Sequence, residues 1–131
     1  VPVAIRLAQR YPNIPIILNH AGMPADRDPE NIDAWRSAMK QLASCNNVAA
    51  KISGLGMCDH QWTTESIQPF VIDLIESFGA DRCMFASNFP VDCLFSDYQT
   101  VWNAYDAITA DFSDAERAML FHDNAEKFYR I

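Results

Sequence analysis

IPIILNHAGMP, residues 14–24, is the stretch on which the fold turns. Its apolar residues follow one another almost without interruption instead of alternating, the pattern of a strand buried on both faces in a parallel sheet. It turns polar at Asn19 and His20 and breaks at Gly22 and Pro24. Two later segments repeat that form, VAAKIS at residues 48–53 and CMFASN at residues 83–88. Their starts fall 34 and then 35 residues apart, the beat of successive βα units.

Helical patterns fill the intervals. After Asp28-Pro29, a pair suited to a helix cap and first turn, Ile32, Trp35, Met39 and Leu42 recur at helical spacing. Ile67, Phe70, Val71, Leu74, Ile75 and Phe78 form a second stripe that stops at Gly79. Pro69 is expected in the first turn of that helix, where a missing N–H costs nothing. A third helix from about Asp97 places Tyr98, Val101, Trp102, Tyr105 and Ile108 on one face, and Ser113 with Glu116 reads as a capping box. Upstream, Val1, Ile5, Ala8 and Tyr11 share a stripe, and a start at Val1 inside a helix suggests that an N-terminal portion is missing. No glycine-rich phosphate loop follows any strand, which favours a barrel over a doubly wound nucleotide fold. The expected architecture is α/β: the C-terminal part of a (β/α)8 TIM barrel with about three parallel strands and flanking helices, one partial domain over residues 1–131. Three strands cannot close a barrel of eight.

The chain has 131 residues, half of them hydrophobic and 21% charged, with a formal net charge of −7. Phosphate backbones and anionic membranes need clustered Lys and Arg, so nucleic acid and membrane surfaces are excluded as partners. A small-molecule substrate is expected instead, and a homo-oligomer stays open. No apolar run reaches the roughly 20 residues that span a bilayer, and a signal peptide is not apparent; a cytoplasmic location is expected. Cys45, Cys58, Cys83 and Cys93 lie 13, 25 and 10 residues apart, unlike metal-finger or dense disulfide spacing, and are read as reduced thiols.

Chemistry in parallel βα folds belongs at the carboxyl ends of the strands. Lys51 interrupts an apolar strand and needs a carboxylate, a carbonyl or a bound anion, unless its stem snorkels to the rim. Arg27 is either a carboxylate clamp or a local partner of Asp26 and Asp28. With Ser53 they are the expected substrate-binding residues. His60 is another candidate base against a plain solvated reading, and Cys58 with His60 forms a weak nucleophile–base pair with no orienting group. Trp35, Trp102, Tyr98 and Tyr105 are expected to pack against the barrel.

ILNHAGMP, a helix carrying Trp35-Arg36, NVAAKISGL, FGADRCMF, SNFPVD and the late FHDNAEKFYRI, in this order, resemble the amidohydrolase-2 type of metal-dependent hydrolases. That branch includes sugar-lactone and pyrone-dicarboxylate lactonases, and the likeness covers nearly the whole chain. It implies a TIM barrel that hydrolyses an ester, lactone or amide of a small carboxylated or sugar-derived metabolite, metal-dependent or metal-free. By this match His20 sits on the family's histidine strand, where it could bind a divalent metal such as zinc or polarise a substrate carbonyl. The alternative is a histidine that satisfies a backbone carbonyl.

Asn88 stands where most members carry an Asp that binds metal and takes a proton from the attacking water. A neutral amide cannot take up that proton, which counts against zinc here. Asp92, four residues on, is the nearest replacement carboxylate, or else a loop Asp that caps a turn or the next helix. The expected catalytic residues are therefore His20, Asn88 and Asp92, with His20 one ligand of an incomplete metal site. The resemblance puts the family's His-x-His pair upstream of Val1, so the chain alone is expected to be inactive. Two other readings remain: a decarboxylase of the same superfamily, and a noncatalytic binding or assembly barrel that has lost its carboxylate.

Overall fold

The structure is a computed structural model that describes residues 2–131. Val1, at the head of the first expected stripe, lies outside the described residues. Helix α1 (Pro2–Arg10) leads to strand β1 (Ile16–Leu18), helix α2 (Pro29–Ala43), strand β2 (Val48–Ile52), helix α3 (Thr64–Phe78) and strand β3 (Cys83–Phe85). Helix α4 (Tyr98–Ile108) follows; α5 (Asp114–Ala118), a π-turn (Met119–Asp123) and α6 (Asn124–Tyr129) then continue without a break. The strands form one parallel sheet in the order β1-β2-β3, the topology that helical crossovers on a βα beat require.

Strand β2 is buried apart from Lys51, and β3 is buried throughout, as continuous apolar runs predict. β1 differs. It is shorter than the run from Ile14 to His20, and all three of its residues are only half-buried: both β1 and β3 are edge strands, but β3 is also covered by the π-turn and α6, while β1 packs chiefly on β2. Before it, Ile14 N–H bonds to Tyr11 O in a turn. Asn47 Nδ2 lies within 3.0 to 3.2 Å of the carbonyls of Ala8, Tyr11 and Ile14 and seals the entry to the sheet.

All six residues of the stripe from Ile67 to Phe78 are buried on α3, and they join Met39 and Leu42 of α2 and the strand residues Val48, Ala50 and Ile52 in one core. At about 1.5–3 kcal/mol for each large side chain fully buried, this layer is the main support of the sheet. Gly79 ends α3 at a φ of 84°. The expectation for Pro69 is corrected. The helix begins at Thr64, behind a capping box in which Thr63 and Ser66 exchange side-chain hydrogen bonds, so Pro69 is an interior residue. The N–H it lacks would have met the carbonyl of Glu65, and both residues are exposed, so water can serve that carbonyl. Asp28 and Asp97 cap α2 and α4, and Ser113 and Glu116 form their capping box at α5.

Arg82, just before β3, donates to the carbonyls of Phe78, Cys45, Val48 and Ala43 at 3.0 to 3.2 Å. It clamps the amino ends of β2 and β3 to the ends of α2 and α3. Asn124, where α6 begins, donates to Ala80 O and Cys83 O at 2.6 and 2.7 Å and ties the last helix to β3. All four cysteines are free thiols, and burial pushes the Cys83 thiol up to about 12. No helix among the described residues is long and apolar enough to cross a membrane.

Candidate functional site at the strand ends

At the carboxyl end of β1 the backbone enters the left-handed region for four residues in succession: His20, Ala21, Gly22 and Met23, with φ between 52° and 69°. For a residue with a Cβ that conformation costs about 1–2 kcal/mol, so the turn persists because its surroundings hold it. Met23 N–H bonds to His20 O at 2.8 Å, Trp35 Nε1–H donates to Ala21 O at 2.9 Å, and Ala21 is fully buried. A Cβ on Gly22 would lie 2.9 Å from Met39 Cε at a φ of 69°, so a side chain there would be strained and would push the Met39 tip aside.

The turn brings His20 against the end of β2. His20 Nδ1 is 3.0 Å from the hydroxyl of Ser53, which is fully buried. Gly54 follows at φ 66°, and a Cβ there would stand 3.0 Å from His20 Nδ1 and 3.2 Å from Asn88 Nδ2. His20 and Asn88 therefore flank one glycine. Asn88, itself at φ 59°, in a conformation asparagine tolerates better than most residues, donates from Nδ2 to Asp92 Oδ1 at 2.8 Å, while Asp92 N–H returns a bond to Asn88 O at 3.2 Å. Asp92 is only 4% exposed, yet among the described residues no protein donor engages its Oδ2. The Tyr105 hydroxyl, reaching in from α4, sits 3.3 Å from Ile52 O and 3.4 Å from Ala86 O and fastens β2 and β3 just below the polar residues.

These positions act on each other electrostatically. Burial holds the His20 imidazole below its usual range, the Lys51 charge works in the same direction, and Asp92 opposes both. Burial pushes the Asp92 carboxyl up, partly offset by the Asn88 hydrogen bond and the field of His20. An imidazole of lowered basicity near a carboxylate of raised basicity is an arrangement suited to proton transfer.

Of the residues singled out from the sequence, His20, Ser53, Asn88 and Asp92 come together. Lys51 Nζ lies 5.9 Å from the centre of the Tyr129 ring, and its charge reaches His20. Arg27 is turned elsewhere: its guanidinium pairs with Asp59 at 3.3 Å, donates to Leu55 O at 2.6 Å and Pro24 O at 3.3 Å, and stacks over Phe70. Local pairing with Asp26 or Asp28 is not what the structure has; Asp28 is spent on capping Asn31. His60 is exposed and stacks on Phe95 at 4.2 Å, and no hydrogen bond joins it to Cys58 among the described residues. Asp92 caps no helix, since Asp97 fills that place at α4. Sequence reasoning missed the close approach at Gly54 and the strand-tying hydroxyl of Tyr105. The Ser53-Gly54 pair directly after a buried strand was the available signal for the first; nothing in the helical stripe marked the second.

The described residues contain no group of three or more His, Cys, Asp or Glu side chains placed to hold a metal ion. A catalytic zinc takes three protein ligands and a water. Here His20 stands with an amide whose nitrogen faces Asp92, so the residues present do not by themselves fit a divalent metal.

Polar side chains gathered at the carboxyl ends of parallel strands, with helices packed behind, define a segment of a β/α barrel bearing its functional face. The chain belongs to the amidohydrolase family, whose model matches residues 1–131. It is 57% identical over 127 residues to the uncharacterized protein y4mH of Sinorhizobium fredii, covering 97% of this chain and 42% of that one. It is 34% identical over 143 residues to the L-fucono-1,5-lactonase of Burkholderia ambifaria, covering 100% of this chain and 47% of the lactonase. A crystal structure of an amidohydrolase from Burkholderia multivorans with bound HEPES superimposes with a TM-score of 0.92 at 29% identity, over 99% of this chain and 49% of that one. A second crystal form of the B. multivorans amidohydrolase, with bound zinc, gives the same TM-score at 28% identity. The chain thus spans about half the length of the relatives it matches.

Proposed function

We propose that residues 1–131 are the C-terminal half of a barrel hydrolase that opens small, sugar-derived lactones, and that His20, Asn88 and Asp92 carry this half's share of the chemistry. The observation that carries the reading is the convergence of His20, Ser53, Asn88 and Asp92 at the ends of three strands, joined by the contacts His20–Ser53 and Asn88–Asp92. The lactonase of B. ambifaria supports the substrate class.

In this reading a water adds to the lactone carbonyl and gives its proton to Asp92 through the unengaged Oδ2. The carboxylate is suited to this by the burial that raises its basicity. Asn88 does not transfer a proton; its amide fixes the carboxylate through Oδ1. His20 faces the carbonyl oxygen as negative charge develops on it. When the tetrahedral intermediate collapses, the ring C–O bond breaks, the ring oxygen takes the proton back from Asp92, and an open hydroxy acid leaves. The remainder of the barrel supplies the opposite wall, so the 131-residue chain alone has no turnover.

The test is hydrolysis of a panel of sugar 1,4- and 1,5-lactones by the full-length protein, followed by proton release. Turnover that falls on replacing Asp92 by Asn supports the reading. Turnover unaffected by that change excludes Asp92 as the base. Binding of lactones without turnover returns the chain to the noncatalytic barrel, and carbon dioxide release from carboxylated substrates to the decarboxylase.

A further inference from the structure

The contact between Ser53 and His20 carries more than proximity. Ser53 is fully buried, and among the described residues its hydroxyl has one hydrogen-bond partner, His20 Nδ1 at 3.0 Å. A neutral imidazole nitrogen either donates or accepts. If Nδ1 carried the hydrogen, it would donate to Ser53 Oγ, and the buried hydroxyl hydrogen would be left without an acceptor, a costly arrangement that folded proteins avoid. With Nδ1 bare, Ser53 donates to it and both groups are satisfied.

We propose that Ser53 is a positioning residue that holds His20 as the Nε2–H tautomer, so that His20 presents the substrate with a hydrogen-bond donor and not with a lone pair.

Both partners are held by backbone. Ser53 follows β2 directly, where the Tyr105 hydroxyl anchors the preceding carbonyl. His20 opens the left-handed turn fastened by Trp35. Gly54 leaves the ring room, since a Cβ there would meet Nδ1 at 3.0 Å. The role of the donor rests on the lactone-hydrolase reading: Nε2–H is aimed at the oxygen that becomes anionic when water adds to the carbonyl, the place where a preorganised donor speeds the reaction most. The tautomer itself does not depend on that reading. In that tautomer His20 offers a metal no free lone pair; binding one at Nε2 would require the proton to move to Nδ1 and the Ser53 hydroxyl to turn from donor to acceptor.

The deciding measurement is nitrogen-15 NMR of the full-length protein labelled at histidine, with the His20 signals assigned by their loss in His20→Gln. A protonated Nε2 and a bare, hydrogen-bonded Nδ1, unchanged on titration with Zn2+, are expected. A proton on Nδ1, or loss of the Nε2 proton on adding zinc, overturns the proposal. Ser53→Ala is expected to shift His20 to a mixture of tautomers and to lower kcat on a sugar lactone about ten-fold with KM within about two-fold, since only part of the oxyanion donor's effect is lost. Unchanged spectra and kcat in that variant also overturn it. If the protein opens no lactone, the functional reading fails while the wild-type spectrum still decides the tautomer.

Discussion

Asp92 and His20 titrate in opposite senses, and each sign has a consequence. The folded-state value of Asp92 is raised above the ordinary 3.8. A base must be ionised, so kcat/KM for lactone opening is predicted to climb with pH through a limb lying above that of a free carboxyl, and Asp92→Asn is predicted to abolish the limb and cost about 10²–10⁴-fold in rate. For His20 the folded value is lowered from 6.5, so the unfolded chain binds more protons between the two values. Stability is therefore full above 6.5 and is lost as pH falls through that window; His20→Gln should flatten this part of the denaturation profile measured against pH. At Gly54 an added Cβ would approach Met57 Cε to 2.7 Å as well as His20 and Asn88, at a φ of 66°. Gly54→Ala is predicted to lower stability by about 1–3 kcal/mol in denaturant titrations and to reduce turnover at temperatures where the variant stays folded. The sequence made His20, Asn88 and Asp92 visible because polar residues at the ends of apolar runs stand out. It could not reveal that Asn88 donates to Asp92, four residues on, because that depends on how a single loop turns, or that Arg27 is drawn to Asp59, because that depends on how segments 32 residues apart in the chain meet.

Among the elements, the stripes of α2, α3 and α4 were legible because burial of one helical face imposes a period that a sequence cannot hide. Boundaries were less so. β1 shrank to Ile16–Leu18 because Ile14 enters a turn closed on Tyr11 and Asn19 faces solvent. Pro69 was placed in the first turn of α3 because the first buried residue of the stripe, Ile67, comes after the turn capped by Thr63 and Ser66. Arg82 gives the element-scale test. Its four carbonyl contacts lie at the amino ends of the strands, the end that in barrels serves stability and not catalysis. Arg82→Ala is predicted to destabilise the protein by about 3 kcal/mol, since it orphans several partly buried acceptors, and to leave kcat/KM of the folded fraction unchanged. A drop in kcat/KM without loss of stability would contradict this division of the sheet into a structural and a functional end.

For the molecule as a whole, apolar side chains left in solvent mark where the sheet and α1 expect company. Val3, Leu7, Tyr11 and Ile14 are each more than 40% exposed, and β1 has an unpaired edge. In the proposed full barrel these surfaces meet the preceding strands and helices. The 131-residue chain expressed alone is accordingly predicted to bind a hydrophobic dye strongly and to show no lactone turnover. The βα beat, the polar strand ends and the family were readable from sequence at this scale, because repeated units and motif order persist in one dimension, whereas in the proposed full barrel the opposite wall of the site comes from elsewhere in the barrel. The central claim is that the cluster at the three strand ends is where a lactone is opened. It is tested most directly by the kcat/KM of the full-length protein on sugar lactones, measured for the wild type, His20→Ala and Asp92→Asn after each variant is confirmed folded. A loss of at least about 100-fold in both variants is predicted; a wild type that opens lactones with either variant within about three-fold of it would contradict the account.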